Sequence, residues 1–250
     1  MAWVLDLDGV VWLGDEVIPG AVEAVRRLRA AGEQVAFVTN NSYPTRGELA
    51  AKLDWLGVDP GEGGQDVLSS ATAAASLLEP GERALVVGGP GIVEALTERG
   101  VELVPEAPAD AVVVGINPAF DYQMMTVASA AVRQGARLVA TNDDATYPTP
   151  RGPIPGGGAI LASIATASGS EPTVAGKPHE ALTRITRDRL GESGWCVGDR
   201  AGTDGELARA LGYRFVLVLS GVTGEADLPV VPEPDLVCEH LGAAVDSLLR

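Results

Sequence analysis

The chain has 250 residues, enough for one large domain or two of ordinary size with a well-buried core, and its 46% hydrophobic content excludes a disordered protein. Acids outnumber bases 34 to 18, and the formal net charge of −16 argues against nucleic acid or an anionic membrane surface as partner. No run approaches the ~20 apolar residues of a membrane-spanning helix, no signal segment is apparent, and Cys196 and Cys238 read as buried, reduced thiols, so a cytoplasmic location is expected.

Residues 3–5 read as a short strand covered on both faces, as in a parallel sheet, and run into Asp6-Leu7-Asp8-Gly9. Two acids spaced by one residue on extended backbone point the same way. The carboxyl edge of an open α/β sheet is where ligands bind, and paired acids there repel unless a cation or a shared proton relieves them. A capping Asp followed by an Asp-Gly turn is the alternative reading. After a helical pattern at 21–31, a second strand at 34–39 ends in Thr39-Asn40-Asn41-Ser42. Its hydroxyl, amide and backbone N–H groups suit an anion, or equally cap the helix at 46–56.

Past a Gly- and Pro-rich loop at 59–64, strands are expected at 66–70 and 83–88 and a helix at 91–99. The Gly88-Gly89-Pro90-Gly91 run lacks the spacing of a dinucleotide-binding loop and reads as a cap turn. Strands at 111–116 and 137–141 flank a helix at 122–134, and further loops occupy 79–81, 105–108 and 147–158. Strand-like 173–175 leads into Gly176-Lys177-Pro178-His179, then a helix at 178–190. The lysine sits at a strand-to-helix corner, where it can neutralise a phosphate or carboxylate, or stand as an ordinary surface lysine. Strand 195–198 runs into Gly198-Asp199-Arg200 and Thr203-Asp204, hard oxygen donors that suit magnesium, with a Gly-Asp turn as the alternative. A last strand is expected at 214–219. This alternation predicts βαβ units and a mostly parallel sheet. His179 and His240 have no spaced partner and receive no catalytic role.

Asp6-Leu7-Asp8-Gly9-Val10, Thr39-Asn40-Asn41-Ser42, Gly176-Lys177-Pro178, and Gly198-Asp199-Arg200 with Thr203-Asp204 each close a predicted strand. Together they resemble the four motifs of the haloacid dehalogenase superfamily of aspartyl-phosphate phosphatases, over nearly the whole chain. Val114-Gly115, Tyr122, Thr141-Asn142 with Asp144, Pro148 and Pro155-Gly156-Gly157-Gly158 are similar to the NagD-like, or 4-nitrophenyl phosphatase, branch. The resemblance implies an α/β fold: a doubly wound, Rossmann-like parallel-sheet core of residues 1–72 and 175–250, with an inserted α/β cap at 73–174 that closes over the site and reads the leaving group. Gly156-Gly157-Gly158 can cradle an anion at a helix start, and the resemblance favours a hinge or turn at the cap's re-entry.

The implied activity is magnesium-dependent hydrolysis of small phosphate monoesters. Asp6 is the expected nucleophile, forming an aspartyl-phosphate, and Asp8 the acid and then the base. Mg2+ is expected on Asp6, Asp199 and the backbone carbonyl of Asp8, with Asp204 orienting its water shell or Lys177. Gly9, Thr39, Asn40 and Lys177 are expected to bind the phosphoryl oxygens. Asn142, Asp144 and Arg200 are candidates for the substrate's organic part, and Asn117 stands where relatives often carry an acid. Glycerol phosphate and phosphoglycolate are the first expected substrates, with sugar, nucleotide and pyridoxal phosphates as alternatives and a homodimer through the cap implied.

A non-hydrolytic phosphate-binding protein or a phospho-acceptor receiver is the rival of a different class. A receiver is shorter and carries its acceptor on an internal strand, and intact Asp6, Asp8, Lys177 and Asp199 argue against a non-hydrolytic relative. Asp8 argues against dehalogenation, and the lack of apolar spans against an ion pump.

Overall fold

The fold is described for residues 1–147 and 152–249, from a computed structural model; Pro148 lies outside the described residues. The chain forms two compact units, one of Met1–Thr39, Gly47–Leu68 and Thr183–Arg250, the other of Asn40–Arg46 and Ser69–Leu182.

In the first unit the apolar runs become the strands Ala2–Leu5, Gln34–Thr39, Gly194–Gly198 and Arg214–Val218, buried along nearly their whole length. Such unbroken apolar character is what a parallel strand covered on both faces requires. The sheet order is Leu236–Cys238, Arg214–Val218, Gly194–Gly198, Ala2–Leu5, Gln34–Thr39 and Val67–Ser69. Ala2–Leu5 is central and parallel to both neighbours, with Leu5 level with Val197 on one side and Phe37 on the other. The chain order runs outward from this strand in both directions, so the carboxyl ends of Ala2–Leu5 and Gly194–Gly198 flank a topological switch point. Helix Ala21–Ala30 buries Ala21, Ala24, Val25 and Leu28, one face at helical spacing, against the same core as Leu241, Ala244 and Val245 of helix Leu241–Leu248.

The second unit has its own parallel sheet, in the order Thr173–Val174, Arg137–Ala140, Ala111–Val114, Arg83–Val87 and Glu102–Leu103. Val112 and Val114 pack with Ala128, Ala131 and Val132 of helix Tyr122–Arg133 and with Ile160, Leu161 and Ile164 of helix Gly157–Ser168. The α/β class with parallel-sheet cores is therefore as the alternation predicts. No helix among the described residues is long and apolar enough to cross a membrane.

Beyond the outer strands Leu236–Cys238 and Glu102–Leu103, which the sequence pattern did not mark, two stretches differ from expectation. The segment read as a loop over 147–158 contains a short antiparallel pair, Thr146–Tyr147 with Ile154–Pro155, and the start of helix Gly157–Ser168. Gly156-Gly157-Gly158 is thus a helix start, the first of its two readings. A side chain at Gly156 would strike the carbonyl of Asp144, and one at Gly158 that of Asp143. Glycine there serves close packing: the Gly156 and Gly158 N–H groups donate to Ala145 O at 3.0 Å and Asp144 O at 2.9 Å. The second stretch, 12–17, forms a small hairpin of Trp12–Leu13 and Glu16–Val17 that its irregular pattern did not announce.

Candidate active site

Asp6 follows the central strand directly and extends its ladder, donating its N–H to Val197 O at 3.0 Å. The chain then turns sharply. The N–H groups of Val10, Val11 and Trp12 converge on Leu7 O at 3.3, 2.9 and 3.2 Å, and Gly9 donates to Trp12 O at 2.7 Å. Gly9 has φ +83°, and any Cβ on it would collide with the Asp199 carboxylate, so both the turn and the close approach demand glycine. Asp8 is half-buried, and its Oδ1 accepts a hydrogen bond from Trp12 Nε1 at 3.0 Å.

Asp199 leaves the adjacent strand at the same sheet edge and is 2% exposed. Its Oδ2 accepts from Val222 N–H at 2.6 Å, and Ser220 Oγ donates to Gly9 O at 2.7 Å. The segment Ser220-Gly221-Val222 thus joins the two acid-bearing turns. It was missed in the sequence, although a Ser-Gly pair just past the strand at 214–219 is the same kind of signal as the four recognised ones.

Beyond Asp199 the backbone makes a π-helical turn, Ala201–Gly205, in which Thr203, Asp204 and Gly205 N–H groups all point at Arg200 O. Such turns are rare and concentrate at functional sites. This one brings Asp204 back over Gly198, where only a glycine leaves room for its side chain, and Asp204 Oδ2 accepts from Arg200 N–H at 3.1 Å. Arg200 is half-buried at the head of the turn.

The result is that Asp6, Asp199 and Asp204 each present a carboxylate oxygen, all within 4.8 Å of one another. Asp6 is 9% and Asp204 1% exposed. Three largely buried carboxylates so close together repel in a medium that screens poorly. A small divalent cation relieves that repulsion, and hard oxygen donors of this kind are the set that magnesium or calcium takes. Thr39, 2% exposed, ends the strand on the other side of Ala2–Leu5 at the same edge of the sheet.

In the second unit, Asn40 and Lys177 meet. Asn40 Oδ1 accepts from Lys177 N–H at 2.7 Å, while its Nδ2 donates to Lys177 O at 3.2 Å and Asp144 Oδ2 at 3.1 Å. The amide therefore brackets the backbone of Lys177, which is 3% exposed. Asn142 Nδ2 and Ser70 Oγ both donate to Asn40 O at 2.7 Å, and Asn142 Oδ1 accepts from Asp144 N–H at 3.2 Å. Asn40, Asn142, Asp144 and Lys177 are one network, in which the Asn40 side chain holds the lysine loop. Nearby, Ser42 Oγ and Thr141 Oγ1 share a buried hydrogen bond of 2.9 Å, and His179 Nε2 lies 3.4 Å from Asp143 Oδ2. The Gly88–Gly91 run opens helix Pro90–Arg99, with Gly91 pressed against the carbonyls of Ser42 and Pro44.

The model of a haloacid dehalogenase-like hydrolase family matches residues 3–102, and that of a related HAD-hydrolase-like family matches residues 174–244. The chain is 38% identical to a D-glycerol 3-phosphate phosphatase of Mycobacterium tuberculosis, over 98% of this chain and 70% of the relative. Its fold is similar to that of a p-nitrophenyl phosphatase from Archaeoglobus fulgidus (TM-score 0.93, 34% identity, 99% of this chain and 98% of that one). It is also similar to a glycerol phosphate phosphatase from Mycobacterium tuberculosis solved in complex with magnesium (TM-score 0.88, 36% identity, 97% and 75%). With the four motifs in order and identity above a third across nearly its full length, the chain belongs to the haloacid dehalogenase-like hydrolases, as a NagD-like phosphatase.

Proposed function

We propose that the chain is a magnesium-dependent phosphatase of small phosphate monoesters that works through an aspartyl-phosphate on Asp6, in the reducing cytoplasm. The observation that carries the reading is the buried trio of carboxylates at the sheet edge, with Asp8 two residues beyond Asp6. Cys196 is a buried thiol and Cys238 a half-buried one, which suits a reducing compartment.

Phosphate monoesters are anionic, and a chain of net charge −16 repels them at long range. Attraction must be local. Asp6, Asp199 and the backbone carbonyl of Asp8 would hold magnesium, with Asp204 orienting its water shell. The bound ion supplies the positive charge that quiets the carboxylates and polarises the phosphoryl group.

A carboxylate oxygen of Asp6 attacks phosphorus as the bond to the ester oxygen breaks. Asp8 gives its proton to the departing alkoxide. It then takes a proton from water, whose oxygen attacks the phosphorus of the intermediate and releases inorganic phosphate and the Asp6 carboxylate. Lys177, Thr39 and the backbone N–H groups at Gly9 and Asn40 would bind the phosphoryl oxygens. The Asn40 side chain acts at one remove, by holding Lys177. Residues 1–72 and 175–250 would form the catalytic core, and 73–174 the cap that selects the leaving group. Within it Asn142 and Asp144, and Arg200 on the core, are the first residues to test for substrate selection.

Glycerol phosphate is the first substrate to test, because the Mycobacterium relative is named for it; phosphoglycolate and sugar phosphates complete the panel. Release of inorganic phosphate at saturating magnesium is the measurement. Asp6→Asn is expected to abolish both turnover and covalent phosphate trapped by rapid acid quench. Ordinary hydrolysis by that variant, or full activity after exhaustive chelation, would overturn the proposal.

A further inference from the structure

We infer that Trp12 is a positioning residue: its indole N–H fixes the orientation of the Asp8 carboxyl and decides which of the two oxygens carries the catalytic proton. This rests on the proposal that Asp8 is the proton donor to the leaving group.

A terminal carboxyl torsion is soft, with a broad two-fold profile, so an Asp on a turn does not by itself present one oxygen in one place. Here Asp8 Oδ1 receives Trp12 Nε1 at 3.0 Å. An indole nitrogen is a donor only. The oxygen facing it therefore serves as acceptor, and a proton on Asp8 belongs on Oδ2. One hydrogen bond fixes the carboxyl plane and reserves Oδ2 for the leaving group.

The donor is itself held from several directions. Trp12 is 2% exposed and packs in the core of the first unit. Its backbone closes the Asp8 turn, donating to Leu7 O at 3.2 Å and accepting from Gly9 N–H at 2.7 Å, and it pairs with Val17 across the hairpin. Lys52, on helix Arg46–Trp55, stands over the indole with Nζ 4.4 Å from the ring centroid. The same ammonium donates to Gly14 O at 2.7 Å and lies 3.7 Å from Asp15 Oδ1. A cation over the ring face and a hydrogen bond to the hairpin's turn hold the indole between helix and hairpin. Misplacing a reacting group by about 1 Å costs on the order of 100-fold in rate, so this anchoring has a kinetic consequence.

The test compares two substrates of nearly the same shape, 4-nitrophenyl phosphate and phenyl phosphate, on the full chain with saturating magnesium. Nitrophenolate leaves without help, whereas phenolate needs the proton. The measured quantity is the ratio of kcat/KM for phenyl over 4-nitrophenyl phosphate. It reports the step that expels the leaving group, and it is unaffected by the fraction of a preparation that is folded.

Trp12→Phe is expected to lower this ratio by about fivefold, with kcat/KM for 4-nitrophenyl phosphate within about twofold of the parent, a fraction of the 100-fold or more that a general acid is worth. Asp8→Asn lowers the ratio further, and adding Trp12→Phe to it lowers the ratio no more. If Trp12→Phe does not fold, 3-benzothienylalanine at position 12 keeps the bicyclic shape without the N–H and is expected to show the same drop. An unchanged ratio for the position-12 variants, with a lowered one for Asp8→Asn, overturns the role of Trp12 alone. An unchanged ratio for Asp8→Asn overturns the donor role of Asp8, and this inference with it.

Discussion

Gly221→Ala tests how tightly the acid cluster is held from behind. Gly221 is not a positive-φ glycine, so the substitution meets no backbone penalty, only space. An added Cβ would lie 2.6 Å from both Cβ and Cγ of Asp199, and closer still to Oδ2. Ordinary carbon contacts are about 3.5–4 Å, so one of the two groups must move by ~1 Å. Either the Asp199 carboxylate leaves the other two acids, or the loop withdraws the Val222 N–H that donates to Asp199 Oδ2 at 2.6 Å. Overpacking of this kind costs about 1–3 kcal/mol of stability, and losing a partner of a metal-binding carboxylate weakens the metal about 10–100-fold. At 1.36 kcal/mol per decade, the latter is about 1.4–2.7 kcal/mol, the same size. The assay is the magnesium concentration for half-maximal phosphate release, together with the rise in Tm that magnesium produces; about tenfold more magnesium should be needed. Gly224→Ala is the control, because a Cβ there meets only Asp227 Oδ2 at 3.7 Å. A Gly221→Ala protein with the parent's magnesium dependence and stability would refute the argument that Asp199 has no room to move.

Asn40→Ala removes the amide bracketing Lys177 and leaves buried backbone groups without it; we expect a loss of about 1–3 kcal/mol by thermal denaturation and weaker inhibition by inorganic phosphate. Leu5→Ala empties a fully buried site in the central strand and is expected to cost about 2–5 kcal/mol in urea unfolding while leaving KM nearly unchanged. Tyr213 has its pKa raised, first by burial and next by the neighbouring Cys196 thiol. A raised folded value favours the protonated phenol, so stability is whole below the ordinary value of 10.0 and falls as pH rises through it. Tyr213→Phe should flatten the urea-unfolding profile over that alkaline range.

The strand ends were legible because each carries polar residues where an apolar run stops. Residues 34–39 and 195–198 are nearly pure apolar sequence, and burial on both faces is the one environment that rewards it. The start of helix Gly157–Ser168 was half legible, since three glycines suit a helix start or a turn until the carbonyls of Asp143 and Asp144 packed against them are known. Trp12 was equally opaque: a tryptophan beside a valine pair reads as core, and its N–H finds Asp8 only when the turn after Gly9 closes.

By itself the sequence determined the chemistry on offer: paired acids, a hydroxyl–amide cluster, a lysine and a second acid pair, each at the end of a strand, in the order of a phosphatase family. Those are local matters of residue type and hydrophobic period. Only the tertiary structure decided which carboxylates share a point. Asp6 and Asp204 are distant in sequence and within 4.8 Å through their oxygens, because parallel pairing sets Leu5 beside Val197 and a π-helical turn folds Asp204 back. It also decided that Asn40 spends its side chain on Lys177, and that Gly9 and Gly221 leave room for Asp199. Such close approaches depend on contacts between residues far apart in the chain, and no local pattern encodes them.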